Sequence, residues 1–300
     1  MKVILILLVY AALVVLVVPL ILRRAGWVQR APGLGIVVWQ ALAASGVLSM
    51  LVAALALAVL SPQPGQRGLA VGGAVSTLSV TVCAAVGLGR TVGRARRQAR
   101  RLTATVALVG RPLPELGLEV VAVEHPQPAA YCLTGRRGQR RIVVTSAALG
   151  ALERSQLRAV VAHERAHLRE RHHLVLLAAD AFGVAFPILP LFRLARREVA
   201  VLVEMRADDV AAQRHGRASV ASALVSVANG SVPGSVLAAG GGGGGVTALR
   251  RVRRMLGPAR PLGVVARVGG LVGAALSVAF PLSLACLPVT VVVYLAVRVV

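Results

Sequence analysis

Apolar positions along this chain follow two regimes. Near both ends they form long uncharged runs, and in the middle they recur at strand and helix periods. Val3 to Leu22 is apolar over the length a bilayer-spanning helix needs. No small-residue cleavage site follows it, and Arg23 and Arg24 come directly after, which argues against a signal peptide. Pro32 to Ser61 forms a second run, and Gly68 to Gly89 a third that is rich in Gly, Ser and Thr. Val268 to Val297 forms a fourth, interrupted by Pro281 and Pro288. Between them, Leu118–Glu124, Ala130–Thr134 and Arg141–Thr145 read as short strands, with residues 135–138 as a hairpin loop. Ser155 reads as an N-cap, and Leu157, Val160, Val161 and Leu168 follow at helical spacing. A second helix is expected from about Arg196 to His215, closed by Gly216. Leu174 to Phe192 is apolar with Asp180 as its sole charge, and Pro187 and Pro190 suggest a re-entrant hairpin or a core helix.

The pattern predicts a mainly α membrane protein with about four transmembrane helices. These carry an α+β domain with a small antiparallel sheet. The expected organisation is three spans in 1–89, a domain in 90–262 holding the apolar hairpin 174–192 and a Gly-rich loop at 229–245, and a last span in 263–300.

Composition sharpens this picture. Hydrophobic residues make up 57%, and the net charge is +23, carried almost wholly by arginine. Nucleic-acid binding would need stacking aromatics or a recognition helix, but aromatics are only 3% and no such helix is evident, so no direct nucleic-acid partner is expected. The arginines instead follow the positive-inside pattern. Arg23, Arg24 and Arg30 follow the first run, Arg67 alone lies between the second and third, and Arg90, Arg94, Arg96, Arg97, Arg100 and Arg101 follow the third. This predicts an outer amino terminus and a cytoplasmic domain, in contact with the lipid bilayer through its spans. Gly240 to Gly245 reads as a linker. Arg250, Arg251, Arg253 and Arg254 with Val252, Met255 and Leu256 suggest a helix at the anionic inner leaflet or a stop signal before the last span. Cys83, Cys132 and Cys286 lie far apart and read as small buried hydrophobes.

The densest chemistry lies at His163-Glu164-Arg165-Ala166-His167. Two histidines four apart share one face of a helix and can reach one ion, with Glu164 beside them to hold a water. With six His in the chain, this pattern arises by chance about 0.003 times. A catalytic zinc, the expected cofactor, takes three protein ligands and keeps one open position. Glu204 is the expected third ligand. Asp208, one turn on, would accept the ring N–H of a ligating histidine. The competing reading is an acidic patch paired with Arg197, Arg206 or Arg214. Such a site hydrolyses amides, with Glu164 as the base, and His215, His172, His173 and Tyr131 are candidate donors to the oxyanion. The strands before the metal helix could also offer an edge to an extended peptide.

HERAH at 163–167 followed by EMRADD at 204–209 resembles the Glu-x-x-x-Asp zinc metallopeptidases. Tyr131 to His173 and the RVRRML segment at 251–256 resemble the BlaR/MecR-type membrane antirepressor peptidases. That resemblance implies signal transduction by cleavage of a cytoplasmic winged-helix repressor of the BlaI/MecI type. HtpX-like and prenyl-protease-like membrane peptidases share the metal motif, which leaves membrane protein quality control as the alternative. A non-catalytic metal-binding regulator is a third reading. The antirepressor receptors continue into an extracytoplasmic sensor domain, and this sequence stops at Val300, so the signal is not implied.

Overall fold

The computed structural model describes residues 2–59, 65, 67–134, 139–230, 244–258 and 261–298. The expected loop at 135–138, the glycines at 240–243, Ser61 and the side chain of Cys286 lie outside the described residues.

The chain begins with α1 (Lys2–Ala12), a π-helical turn (Leu13–Val17) and α2 (Val18–Leu22). Pro19 explains the π turn, because its ring cannot face the carbonyl four residues back, and a wider turn moves that carbonyl aside. Next come the short α3 (Trp27–Arg30), then α4 (Pro32–Val59) and the long α5 (Arg67–Val109). Four strands follow: β1 (Arg111–Pro112), β2 (Val120–Val123), β3 (Ala130–Thr134) and β4 (Arg140–Thr145). After them come α6 (Ser146–Ala151), α7 (Arg154–Arg169), α8 (His172–Ala185), α9 (Pro190–His215), α10 (Arg217–Gly230), α11 (Gly244–Leu256) and α12 (Val264–Arg298). Gly244 and Gly245 thus already belong to a helix. Among the described residues four helices, at Ile4–Leu22, Pro32–Val59, Arg67–Val109 and Val264–Ala285, are long and apolar enough to cross a membrane.

Two compact units emerge. The first holds Met1–Thr91, Ala178–Glu198 and Leu262–Val300, and the second Val92–Leu177 and Val199–Pro261. In the first unit, apolar side chains face outward, including Leu5, Ile6, Leu8, Val71, Val75 and Leu78. Cys83 is likewise exposed rather than buried, since α5 turns much of its surface outward here. Polar groups lie between the helices instead. Tyr10 Oη and Ser45 Oγ both donate to the Ser277 carbonyl, at 2.7 and 2.6 Å. Gly73 lets α5 approach α4 closely, since a Cβ there would sit 2.4 Å from the Ala58 backbone nitrogen. Residues 178–198 pack in this unit as an antiparallel hairpin. Phe182 and Phe186 meet Phe192, and Arg196 Nε donates to Asp180 at 2.6 Å. The turn spans 186–189, and α9 starts at Pro190, earlier than the expected Arg196, because proline suits the first helical position.

The second unit is built on the sheet, in the order β1-β2-β4-β3. β3 and β4 form the antiparallel hairpin, but β2 and β4 run parallel, from Val120 beside Ile142 to Val123 beside Thr145. The sheet is therefore mixed, which corrects the antiparallel expectation. The reason lies in β4, where Ile142, Val143, Val144 and Thr145 are all buried. A strand so covered on both faces belongs in the centre, between two neighbours. Its hairpin with β3 takes one edge, and β2 takes the other.

Alternation along the strands splits the core. Val120, Ala122, Ala130, Ile142 and Val144 pack with Val161 and Leu168 of α7 on one face. Val121, Leu133 and Val143 pack with Val106 of α5 on the other. The N-cap of α7 is Glu153 rather than Ser155. Its N–H donates to the Gln156 side-chain oxygen at 3.0 Å, half of a capping box that a Ser155 cap could not form. Ala159 and Ala162 of α7, Ala211 of α9, Val220 and Ala221 of α10, and Met255 of α11 form a third cluster. These small residues bring α7 and α9 close, and that contact positions the site.

Candidate metal centre

All groups of the site belong to the second unit. His163 and His167 lie one turn apart on α7, and their Nε2 atoms are 3.1 Å apart. From α9, Glu204 places Oε2 3.4 Å from His163 Nε2 and Oε1 3.6 Å from His167 Nε2. The three donor atoms lie within 4.8 Å of one another. Asp208, one turn further along α9, lies 3.0 Å from His163 Nδ1 and accepts its N–H. Asp208 is almost fully buried, as are His163 and Glu164. The structure thus brings together His163, Glu164, His167, Glu204 and Asp208.

Electrostatics tests whether this set suits a metal. Nε2 of His163 points at a carboxylate, with Nδ1 already committed to Asp208, so the gap demands positive charge. Without a metal a proton supplies it. Burial opposes a charged His163, but the Asp208 and Glu204 carboxylates raise its pKa to about 10. His167 is driven the other way, down to about 3, by burial and by the neighbouring His163 charge. Glu204 is held below the usual carboxylate range, because Arg251 and His163 outweigh the effect of burial. Two imidazoles and one carboxylate around a gap that attracts a cation fit a divalent ion such as zinc, which takes nitrogen and oxygen donors in this number. Uptake of the ion would displace the Nε2 proton of His163.

Glu164 shares the helix but is tuned differently. Burial, followed by the nearby Glu204 charge, raises its pKa to about 7. A carboxyl group poised there can both take and return a proton at neutral pH. Cys132, on β3, lies beside Glu164, whose charge adds to burial in raising the thiol's pKa. Its placement beside the base was not read from the sequence.

Arg251 is the larger surprise. Its Nη1 lies 3.0 Å from Glu204 Oε2, while Nη2 and Nε donate to the two Asp208 oxygens at 2.7 and 2.8 Å. Arg254 pairs with Asp209 at 2.6 and 2.8 Å. Two arginines of the RVRRML segment therefore turn inward to the acids of α9, whereas Arg253 is exposed. Arg206, one of the partners expected for an acidic patch, pairs with Glu170. The run of four arginines within residues 250–254 was the only sequence signal, and it suited a lipid surface equally well.

The oxyanion candidates separate. Tyr131 packs with Val106, Val121 and Val143 on the sheet face away from α7. His172 stands behind His167, with its Nδ1 3.1 Å from His167 Nδ1. His173 senses Arg140 and Arg171, and burial lowers its pKa. His215 ends α9. None of these four contacts Glu164 through a described hydrogen bond, whereas Arg251 reaches Glu204 at 3.0 Å.

The sequence is similar to known proteins. A Protease HtpX homolog from Acidiphilium cryptum (strain JF-5) is 35% identical over 88 residues, covering 28% of this chain and 30% of the relative. The match therefore spans under a third of that relative's length. Residues 90–239, half of the chain, match the profile of peptidase family M48 and contain the whole His163–Glu204 cluster. The chain belongs to peptidase family M48, whose members are metal-dependent peptidases.

Proposed function

We propose that this protein is a membrane-embedded zinc endopeptidase that cuts a protein segment on the cytoplasmic side of the bilayer. The observation that carries the reading is the convergence of His163, His167 and Glu204 beside a buried Glu164. His163, His167 and Glu204 would hold the ion. When bound, zinc lowers the pKa of a coordinated water and polarises the scissile carbonyl. Glu164 would take a proton from the attacking water and return it to the departing amine. Asp208 holds the His163 ring by its Nδ1–H. β3 lies at the edge of the sheet, and its Cys132 lies close enough to Glu164 to feel its charge. An extended segment paired along that edge would lie beside the base, which favours flexible protein chain over small molecules. The cytoplasmic side is supported by the arginines that follow the third apolar run.

For the substrate we favour a winged-helix repressor of the BlaI/MecI type, on the resemblance carried by Tyr131–His173 and RVRRML. The similarity to a Protease HtpX homolog supports a second reading, broad cleavage of membrane proteins. Membranes carrying wild type and Glu164→Gln separate these. The variant keeps its zinc and loses cleavage by about 10²–10⁴-fold, and chelating the zinc of the wild type abolishes cleavage until zinc is restored. Retained cleavage in the variant removes Glu164 from its role. Cutting confined to the repressor supports the first substrate, and cutting of unfolded membrane proteins as well supports the second.

A further inference from the structure

The two histidine ligands are not held alike. His163 donates Nδ1–H directly to a carboxylate, Asp208. His167 has no such carboxylate behind it among the described residues. Its Nδ1 instead faces Nδ1 of His172 at 3.1 Å. On its other side, His172 Nε2 lies 3.3 Å from Glu170 Oε2. Glu170 is in turn gripped by Arg206, which donates from Nε and Nη2 at 2.7 to 3.1 Å.

Proton placement along this row follows from the acceptors. The Glu170 carboxylate can only accept, so His172 carries its proton on Nε2. Its Nδ1 is then bare and can only accept, so His167 carries its proton on Nδ1. That leaves a lone pair on His167 Nε2, the atom facing His163 and Glu204. We propose that His172 is a positioning residue for His167, and that the row Arg206–Glu170–His172 fixes the His167 tautomer and ring angle for metal binding. The proposal rests on reading the centre as a zinc site.

Backbone geometry supports it. Arg171, between α7 and α8, has φ 52°, the only non-glycine residue with positive φ among the described residues. Such a left-handed residue ends one helix and starts the next at once. It turns the chain so that His172, five residues after His167, comes back over that ring, and His172 is only 2% exposed. A residue continuing α7 would have carried the position past it.

The test uses the purified full chain in detergent, with zinc affinity measured by chelator competition and the visible spectrum recorded on the cobalt-loaded protein. Leu and Asn have nearly the same shape, but Asn offers an acceptor where Nδ1 stood. His172→Leu is expected to weaken zinc binding by about 10–100-fold and to shift the cobalt bands. His172→Asn is expected to recover most of the affinity, with both variants unfolding at similar temperatures. Wild-type affinity and spectrum in His172→Leu, or an Asn variant as weak as Leu, would overturn the proposal. If His172→Leu does not fold, Glu170→Ala carries the test, since that side chain is 32% exposed. It should weaken zinc in the same direction, and unchanged affinity there overturns the row. A wild type that binds no zinc defeats the reading of the centre itself, while zinc-binding wild type with an indifferent His172 defeats only this inference.

Discussion

In the first unit Leu5, Ile6, Val71 and Leu78 face outward, while Ser45, which donates to the Ser277 carbonyl of another helix, is fully buried. In the second, Val120, Ile142 and Val143 are fully buried, and among the described residues the site's His163, Glu164 and Asp208 are buried ionisable groups. Each unit buries polar groups, but for different reasons. Between apolar helices a hydroxyl bonded to a backbone carbonyl is one of few ways to hold helices together, because burying more carbon gains little against lipid. In the second unit apolar burial supplies the stability, and the buried charges are a cost borne for chemistry. The cost is contained by pairing, since Asp208 meets both Arg251 and His163. The comparison teaches that buried polarity here is glue in one unit and tool in the other.

If so, the units should respond to mutation on different scales. Arg251→Leu strips a buried carboxylate of its cation, and a loss of about 3–5 kcal/mol in the stability of the second unit is expected. Thermal unfolding of zinc-free protein reads it, and a loss below about 1 kcal/mol would mean that Asp208 is not the costly charge described. Gly73→Leu drives a side chain into the α4 backbone, and overpacking of this kind costs about 1–3 kcal/mol. Its effect should appear in detergent stability, with the zinc content unchanged. Ser45→Ala removes one donor to the Ser277 carbonyl while Tyr10 remains, for about 0.6 kcal/mol. A loss as large as that of Arg251→Leu would erase the distinction between the units.

Features governed by a few neighbouring residues were legible beforehand. The apolar runs declared four candidate spans by length alone. The hairpin of β3 and β4 followed from a short break between stretches carrying Tyr, Ile and Val, and Gly216, with φ 81°, sits where a helix needs a left-handed residue. Features that depend on partners far away were not legible. The parallel pairing of β2 with β4 depends on which strand is most deeply covered. The inward turn of Arg251 joins residues 43 apart in sequence, and nothing near Arg251 distinguishes it from Arg253. His172 looked like a spare donor for the oxyanion, because the sequence does not show that Arg171 bends the chain back.

By itself the sequence determined that His163, Glu164 and His167 share one stretch of helix, because the pitch of an α-helix fixes what four residues of spacing can do. It determined likewise that Glu204 and Asp208 act from one face. Only the tertiary structure decided that these two faces meet, through the alanine contacts of α7 and α9. It also decided that Arg251 closes the site and that His172 backs His167. Helical pitch is a local property of the backbone, whereas convergence is a property of packing, where burial of distant side chains selects one arrangement among many.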